Sequence, residues 1–229
     1  MHIPDGYLAP QTSLPFFAVM VPFWAVAAKK VKKTVAKRNV PLLAIGAAFS
    51  FVIMMFNLPV PGGSSAHAVG AVLVAILLGP WAASLAISVA LIIQALLFGD
   101  GGILAIGANC FNMAVVMPFS GYWVYRWVKG QAEGLSGRTL LAAGLAGYVG
   151  LCLAALFTAV EFGSQYHLFR AGDGTPLYFM YPLKVAVVAM MTEHLLLAGP
   201  VEGIVTALGL WYVGRNYPSL MEGKSDAQG

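Results

Sequence analysis

The chain opens with Met1-His2, a pair able to chelate a transition metal through a free amino terminus. The terminal amine, the deprotonated peptide nitrogen of His2 and its imidazole Nδ1 close adjacent small rings in one plane. That donor set suits Ni(II) or Cu(II) and excludes hard cations. Taken alone, the dipeptide also reads as an ordinary loose terminus. A fourth nitrogen would complete a square, and His67 is the candidate. It follows Gly62-Gly63-Ser64-Ser65-Ala66, where the glycines permit a non-helical approach before a short apolar span. Such backbone persists at membrane depth only when protein or a water-filled cavity surrounds it. An ionisable side chain beside an apolar span is costly unless partnered and usually marks function; a satisfied structural histidine is the alternative. Ser64 and Ser65 are expected to support this site.

A second polar group runs from Gln94 through Gly99-Asp100-Gly101-Gly102 to Asn109 and Asn112. Gly-Asp-Gly-Gly reads first as a turn, so Asp100 is assigned a supporting or structural role. Asn109 and Asn112 share one helical face, from which their carboxamides could orient the imidazoles, because metal-bound histidines donate their other N–H to an outer oxygen. Packing hydrogen bonds between helices are the equal alternative. Glu193, His194 and Glu202 flank Gly199-Pro200, where proline kinks or breaks a helix; an interhelical network is favoured over a proton relay. Glu161, His167 and Asp173 are expected in an outer loop, as a solvated or metal-collecting surface. Cys110 and Cys152 lie far apart within apolar spans, which suggests neither a disulfide nor a thiolate cluster.

The elements that must hold these residues are set by composition. With 59% hydrophobic and 10% charged residues and a mean hydropathy of +0.80, the chain departs from soluble domains, whose charged fraction is about 25%. The expected fold is all-α, a polytopic membrane bundle of about seven spans, each near the roughly 20 residues a spanning helix needs. They are read at Leu8 to Ala28, Val40 to Leu58, Ser64 to Leu78, Pro80 to Phe98, Ile103 to Trp127, Thr139 to Phe162 and Leu183 to Val213. Lys29, Lys30, Lys32, Lys33, Lys37 and Arg38 crowd the first connection, which the positive-inside rule places in the cytoplasm. The amino terminus is then outside and the carboxyl terminus inside. Asp5, Asp100, Glu161 and Asp173 are expected to form an acidic outer rim that concentrates cations.

The net charge of +4 reflects topology and anionic-lipid contact, not nucleic-acid binding. One integral-membrane domain is expected over 1–215, its amino-terminal segment inserted into the bundle, with a cytoplasmic tail at 216–229. No cleavable signal is expected, since MHIPDGYLAP lacks a basic n-region, and Met1 is expected to be retained before the bulky His2. Small residues at Ala44 and Ala48, at Gly144, Gly147 and Gly150, and at Gly199 and Gly203 allow close helix approach. Ala44 and Ala48 are also a candidate docking face for another membrane subunit.

MHIPDGYL, LPVPGGSSAH followed by LLGPWA, QALLFGDGGILAIGAN with FNM, and TEHLLLAGPVEG closely resemble the NikM/CbiM substrate-binding membrane subunits (S components) of energy-coupling-factor nickel and cobalt importers. The resemblance extends from residue 1 to about residue 210 and is weaker between Val128 and Phe179. It implies metal ligation by Met1, His2 and His67. It also implies partner ATPase subunits, a transmembrane coupling subunit, often a small accessory membrane subunit, and a prokaryotic plasma-membrane location. The chain's own residues agree that energy comes from elsewhere. Its Gly-Lys-Ser at Gly223 to Ser225 has Pro218 where a P-loop needs its first glycine. A self-sufficient ion-driven permease is the alternative. An intramembrane serine protease using Ser64 or Ser65 with His67 or His194 rests on a far less specific pattern. Four planar nitrogens lean toward Ni2+ over Co2+.

The placement of the basic cluster predicts that Lys29 to Lys33 react with an impermeant amine reagent only from the cytoplasmic side of sealed vesicles. Labelling from outside would invert the topology.

Overall fold

The computed structural model describes residues 1–34, 40–60, 64–218 and 220. Lys37, Arg38, Gly62, Gly63 and the Gly223 to Ser225 motif lie outside the described residues, as does the tail beyond Leu220, and Ser64 and Ser65 enter through their backbone.

Among the described residues the chain makes seven helical passes. They are α1 (Pro10–Thr34), α2 (Val40–Met54), α3 (Ala71–Leu78), α4 (Pro80–Ile93), α5 (Ile106–Cys110) continuing into α6 (Met117–Lys129), α7 (Gly137–Leu168), and α8 (Leu183–Glu193) continuing into α9 (Gly199–Asn216). Four stretches are long and apolar enough to cross a bilayer: Pro10–Lys33, Pro80–Phe98, Gly137–Leu168 and Leu183–Asn216. Val40–Met54 is a shorter apolar helix. The protein is therefore an all-α polytopic membrane bundle, with one small hairpin set into it.

That hairpin corrects the third span. Ser64 to Ala66 do not begin a helix; they form a strand β2 (Ser64–Ala66) antiparallel to β1 (Leu58–Val60), with Leu58 opposite Ala66 and Val60 opposite Ser64. Helix α3 starts only at Ala71, after Gly70 turns with φ +74, a conformation that favours glycine. At eight residues it rises about 12 Å, far less than the roughly 30 Å hydrocarbon core. His67 thus precedes a half-length helix, on chain without regular structure, and does not sit inside one.

Three π-helical turns interrupt the long helices, at Gln94–Phe98, Phe111–Val116 and His194–Ala198. Each contains a fully buried polar side chain: Gln94, Asn112 and His194. A π turn inserts a residue and rotates the side chains beyond it to a new face, and such turns recur at functional sites. Pro200 falls in the first turn of α9, so the expected break appears as the π turn just before it. Two carbonyls there are taken up by α7: Cys152 Sγ donates to His194 O at 3.6 Å and Tyr148 Oη to Leu195 O at 3.3 Å.

Helix α7 begins at an N-cap, Ser136 Oγ accepting from Thr139 N at 3.2 Å, and packs against α6, α8 and α9. It reaches Leu168, beyond the expected Phe162. Glu161 and His167 therefore lie on a helix. Glu161 is buried, not on an outer rim, because Asn112 Nδ2 donates to its Oε2 at 2.8 Å. Asp173 does lie in the following loop, accepting from Thr175; those bonds hold its carboxyl below the usual carboxylate range. Large apolar side chains such as Leu14, Val52, Leu145 and Ile204 point outward, while alanine and glycine dominate the interior, as close helix packing in lipid requires. Ala44 and Ala48 are exposed on the outer face of α2. At one end of the bundle, basic side chains lie over aromatic rings: Lys30 over Trp81 at 4.4 Å, Arg126 over Trp123 at 5.9 Å and Arg215 over Trp211 at 5.5 Å. This is the composition of an interfacial belt.

The α7–α9 seam depends on glycine. A Cβ at Gly147 would come within 2.6 Å of Thr206 Oγ1 and 2.9 Å of Glu202 O. Gly147→Leu is expected to destabilise the detergent-solubilised protein by about 1–3 kcal/mol, the usual cost of overpacking, measured as a lowered SDS-unfolding midpoint.

Candidate metal centre

The first nine residues lie against the bundle as non-helical chain with a turn at Asp5 and Gly6. Met1 and Ile3 are 1% and 0% exposed, so their backbone polar groups need partners other than water. Asn109 supplies two of them. Its Oδ1 accepts from Ile3 N at 2.8 Å and its Nδ2 donates to Ile3 O at 3.1 Å, so one carboxamide acts as a strand neighbour would. Gly102 N also donates to Ile3 O, at 2.8 Å. Asp5 then closes over the same loop, accepting from Ile103 N at 3.0 Å and Leu104 N at 2.9 Å. Ala9 N donates to Gln165 Oε1 at 3.0 Å, and Tyr7 packs against Phe162 and Phe179. The Gly-Asp-Gly-Gly turn is the bed for this strap: Gly101 has φ +91, and a Cβ at Gly102 would collide with the main chain and carboxylate of Asp5.

Held this way, the His2 ring stacks on His67, with centroids 4.6 Å apart and planes inclined by 23°. The His67 Nδ1 lies 3.2 Å from Ala68 O. Donation there fixes the tautomer and leaves Nε2 with a lone pair, and Nε2 has no hydrogen-bond partner among the described residues. Both ring nitrogens of His2 are likewise without an aligned hydrogen bond, although Nδ1 stands 3.3 Å from Asp100 Oδ1. The Met1 amino group lies within electrostatic reach of Glu193 and Asp100. The His194 ring is within reach of His67, anchored by Nδ1 to Met190 O at 2.8 Å. Buried imidazole nitrogens without partners are expensive, and a cluster of them is suited to a cation.

Met1, His2, Asp100 and His67 thus come together as the sequence suggests. Asn109 is present in another capacity, holding Ile3 backbone and not an imidazole. Asn112 is not brought to the histidines: its amide faces Thr158 Oγ1 at 3.1 Å and Glu161, because the π turn beginning at Phe111 turns it toward α7. Sequence reasoning passed over Asp5 as a rim charge, and it did not anticipate Glu193 beside the amino terminus. The Asp-Gly pair in MHIPDG is the available signal for the first; nothing local marks the second. Among the described residues no three His, Cys, Asp or Glu side chains could together hold a metal ion. Any metal chemistry here therefore requires main-chain or terminal nitrogen alongside the imidazoles. An apolar cavity of about 540 Å³, lined among others by Leu42, Phe49, Leu73, Val74 and Tyr212, lies between α2, α3 and α9 and offers no such donors.

The bundle folds around its own buried amino terminus, which sets His2 against His67, and its relatives place it among membrane transport components for metal ions. Residues 2–220 match the family model described as CbiM, cobalt uptake substrate-specific transmembrane region, and the chain belongs to this family. It is 55% identical to the fused nickel transport protein NikMN of Rhodobacter capsulatus, over 96% of this chain and 64% of that protein, so it spans just under two thirds of that relative. It is 48% identical to a putative metal transport protein of Methanocaldococcus jannaschii over 98% of this chain and 96% of that one. A crystal structure of a transition metal transporter superposes with a TM-score of 0.91 at 52% identity, covering 100% of both chains.

Asn109→Ala removes both side-chain bonds to Ile3. It is expected to raise amide hydrogen exchange in the peptide covering residues 1–8 and to weaken nickel binding about 10- to 100-fold, the loss typical of an outer positioning partner.

Proposed function

We propose that the chain is the substrate-specific, metal-binding membrane subunit of an energy-coupling-factor importer, and that its substrate is Ni2+, with Co2+ as the alternative. The observation that carries this reading is the burial of Met1 and His2 against His67. The terminal amine, the His2 peptide nitrogen and Nδ1, and His67 Nε2 form the four-nitrogen set, and planarity favours nickel. Intrinsic affinity would favour copper still more, so selection against it rests on delivery, redox state or access. The names of the family and of the Rhodobacter relative support cobalt and nickel as cargo. The fused relatives, longer than this chain, are in keeping with further modules working beside it.

In this reading the amino terminus faces outside and the ion arrives from that side of a prokaryotic plasma membrane. The subunit catalyses no reaction. A coupling subunit and ATPases, with or without a small accessory membrane subunit, convert binding into movement.

His2→Ala and His67→Ala are each expected to abolish tight nickel binding in titrations of folded protein, as is one extra residue before Met1, which replaces the amine by an amide. Tight binding by the His67 variant would remove the fourth ligand. In proteoliposomes, accumulation is expected only with coupling and ATPase subunits and hydrolysable ATP; accumulation by the subunit alone would establish an ion-driven permease instead.

A further inference from the structure

His67 sits on a stretch without regular structure between β2 and α3, where the Nδ1 contact with Ala68 O orients the ring but does not fix the stretch itself. The constraint comes from the far end of the sequence. Glu202, 0% exposed on α9, accepts from Val69 N at 2.7 Å through Oε2 and from Gly70 N at 3.0 Å through both oxygens. On the other side of the same stretch, Ser50 Oγ donates to Val69 O at 2.6 Å. The two amides stand at the start of α3, where the helix dipole favours negative charge. Unsatisfied amides at this depth cost several kcal/mol each, and a bidentate carboxylate, with acceptors only, serves both at once.

We propose that Glu202 is a positioning residue for His67, the group through which α9 holds the imidazole against the buried amino terminus. The inference rests on the reading of His67 as a metal ligand. It makes nickel affinity depend on the seating of α9 against α3: a shift of α9 pulls on Val69 and Gly70 and moves the ring two residues away. The sequence separation explains why the link has no local signature.

The test is nickel titration and visible spectroscopy of the full chain carrying Glu202→Gln. The carboxamide keeps one acceptor oxygen and turns an NH2 toward the other amide, so affinity is expected to fall about 10- to 100-fold, with a shifted absorption band for the bound ion. Glu161→Gln, also buried but tied to Asn112, is the control and should move neither. Glu202→Asp, one methylene shorter, should lose part of the affinity, and it decides the question if the Gln variant does not fold. Wild-type affinity and spectrum in a folded Glu202 variant, with His67→Ala dead, would overturn the inference and leave the function intact. Wild-type affinity in His67→Ala itself would overturn the functional reading instead.

Discussion

Backbone buried in a bilayer has no water to bond with, and the site is built from backbone that is not helical. The exchange of two hydrogen bonds between Asn109 and Ile3 is the interaction on which the rest depends. It makes a non-helical amino terminus tolerable at depth, and it sets where Met1 and His2 must lie. The Gly102 amide and the Asp5 carboxylate complete the tie. Without it, residues 1–9 would carry orphaned amides and carbonyls and would leave the bundle for solvent.

Three non-helical pieces converge on the histidines: the amino-terminal strap, the turn from Gly99 to Ala105, and the stretch from His67 to Gly70. The helices serve as walls, and their π turns carry Gln94, Asn112 and His194 inside, Asn112 toward α7 and not toward the histidines. At the last of these turns α7 donates to two main-chain carbonyls, through Tyr148 to Leu195 O and Cys152 to His194 O. The cysteines thus pack as small buried residues, Cys152 with the added task of capping a loosened carbonyl.

Electrostatics obey the same architecture. Of the acidic residues that charge counting places on an outer rim, Glu161 is buried, whereas Asp5 and Asp173 are exposed and Asp100 is partly exposed. Asp5 is a main-chain clamp, Glu161 belongs to a buried network with Asn112 and Thr158, and Glu202 holds the start of α3. A buried carboxylate is costly without donors, and Glu202 finds them in the Val69 and Gly70 amides, which would otherwise be unsatisfied themselves.

The sequence by itself determined the membrane class, the seven passes and the turn at Gly99 to Gly102, because hydropathy and glycine placement are local properties. It also determined the family, through motifs spread along the chain. Tertiary structure alone decided that Ser64 to Ala66 is a strand and His67 to Gly70 is not helical, since a short apolar run after glycines satisfies either conformation until neighbours claim its amides. It alone turned Asn112 away from the histidines and Asn109 toward Ile3, a choice made by a π turn that periodicity does not reveal. The pairing of Glu202 with Val69 and Gly70 is of the same kind: groups separated by more than a hundred residues acquire a shared role only when packing removes the water that each would otherwise bind.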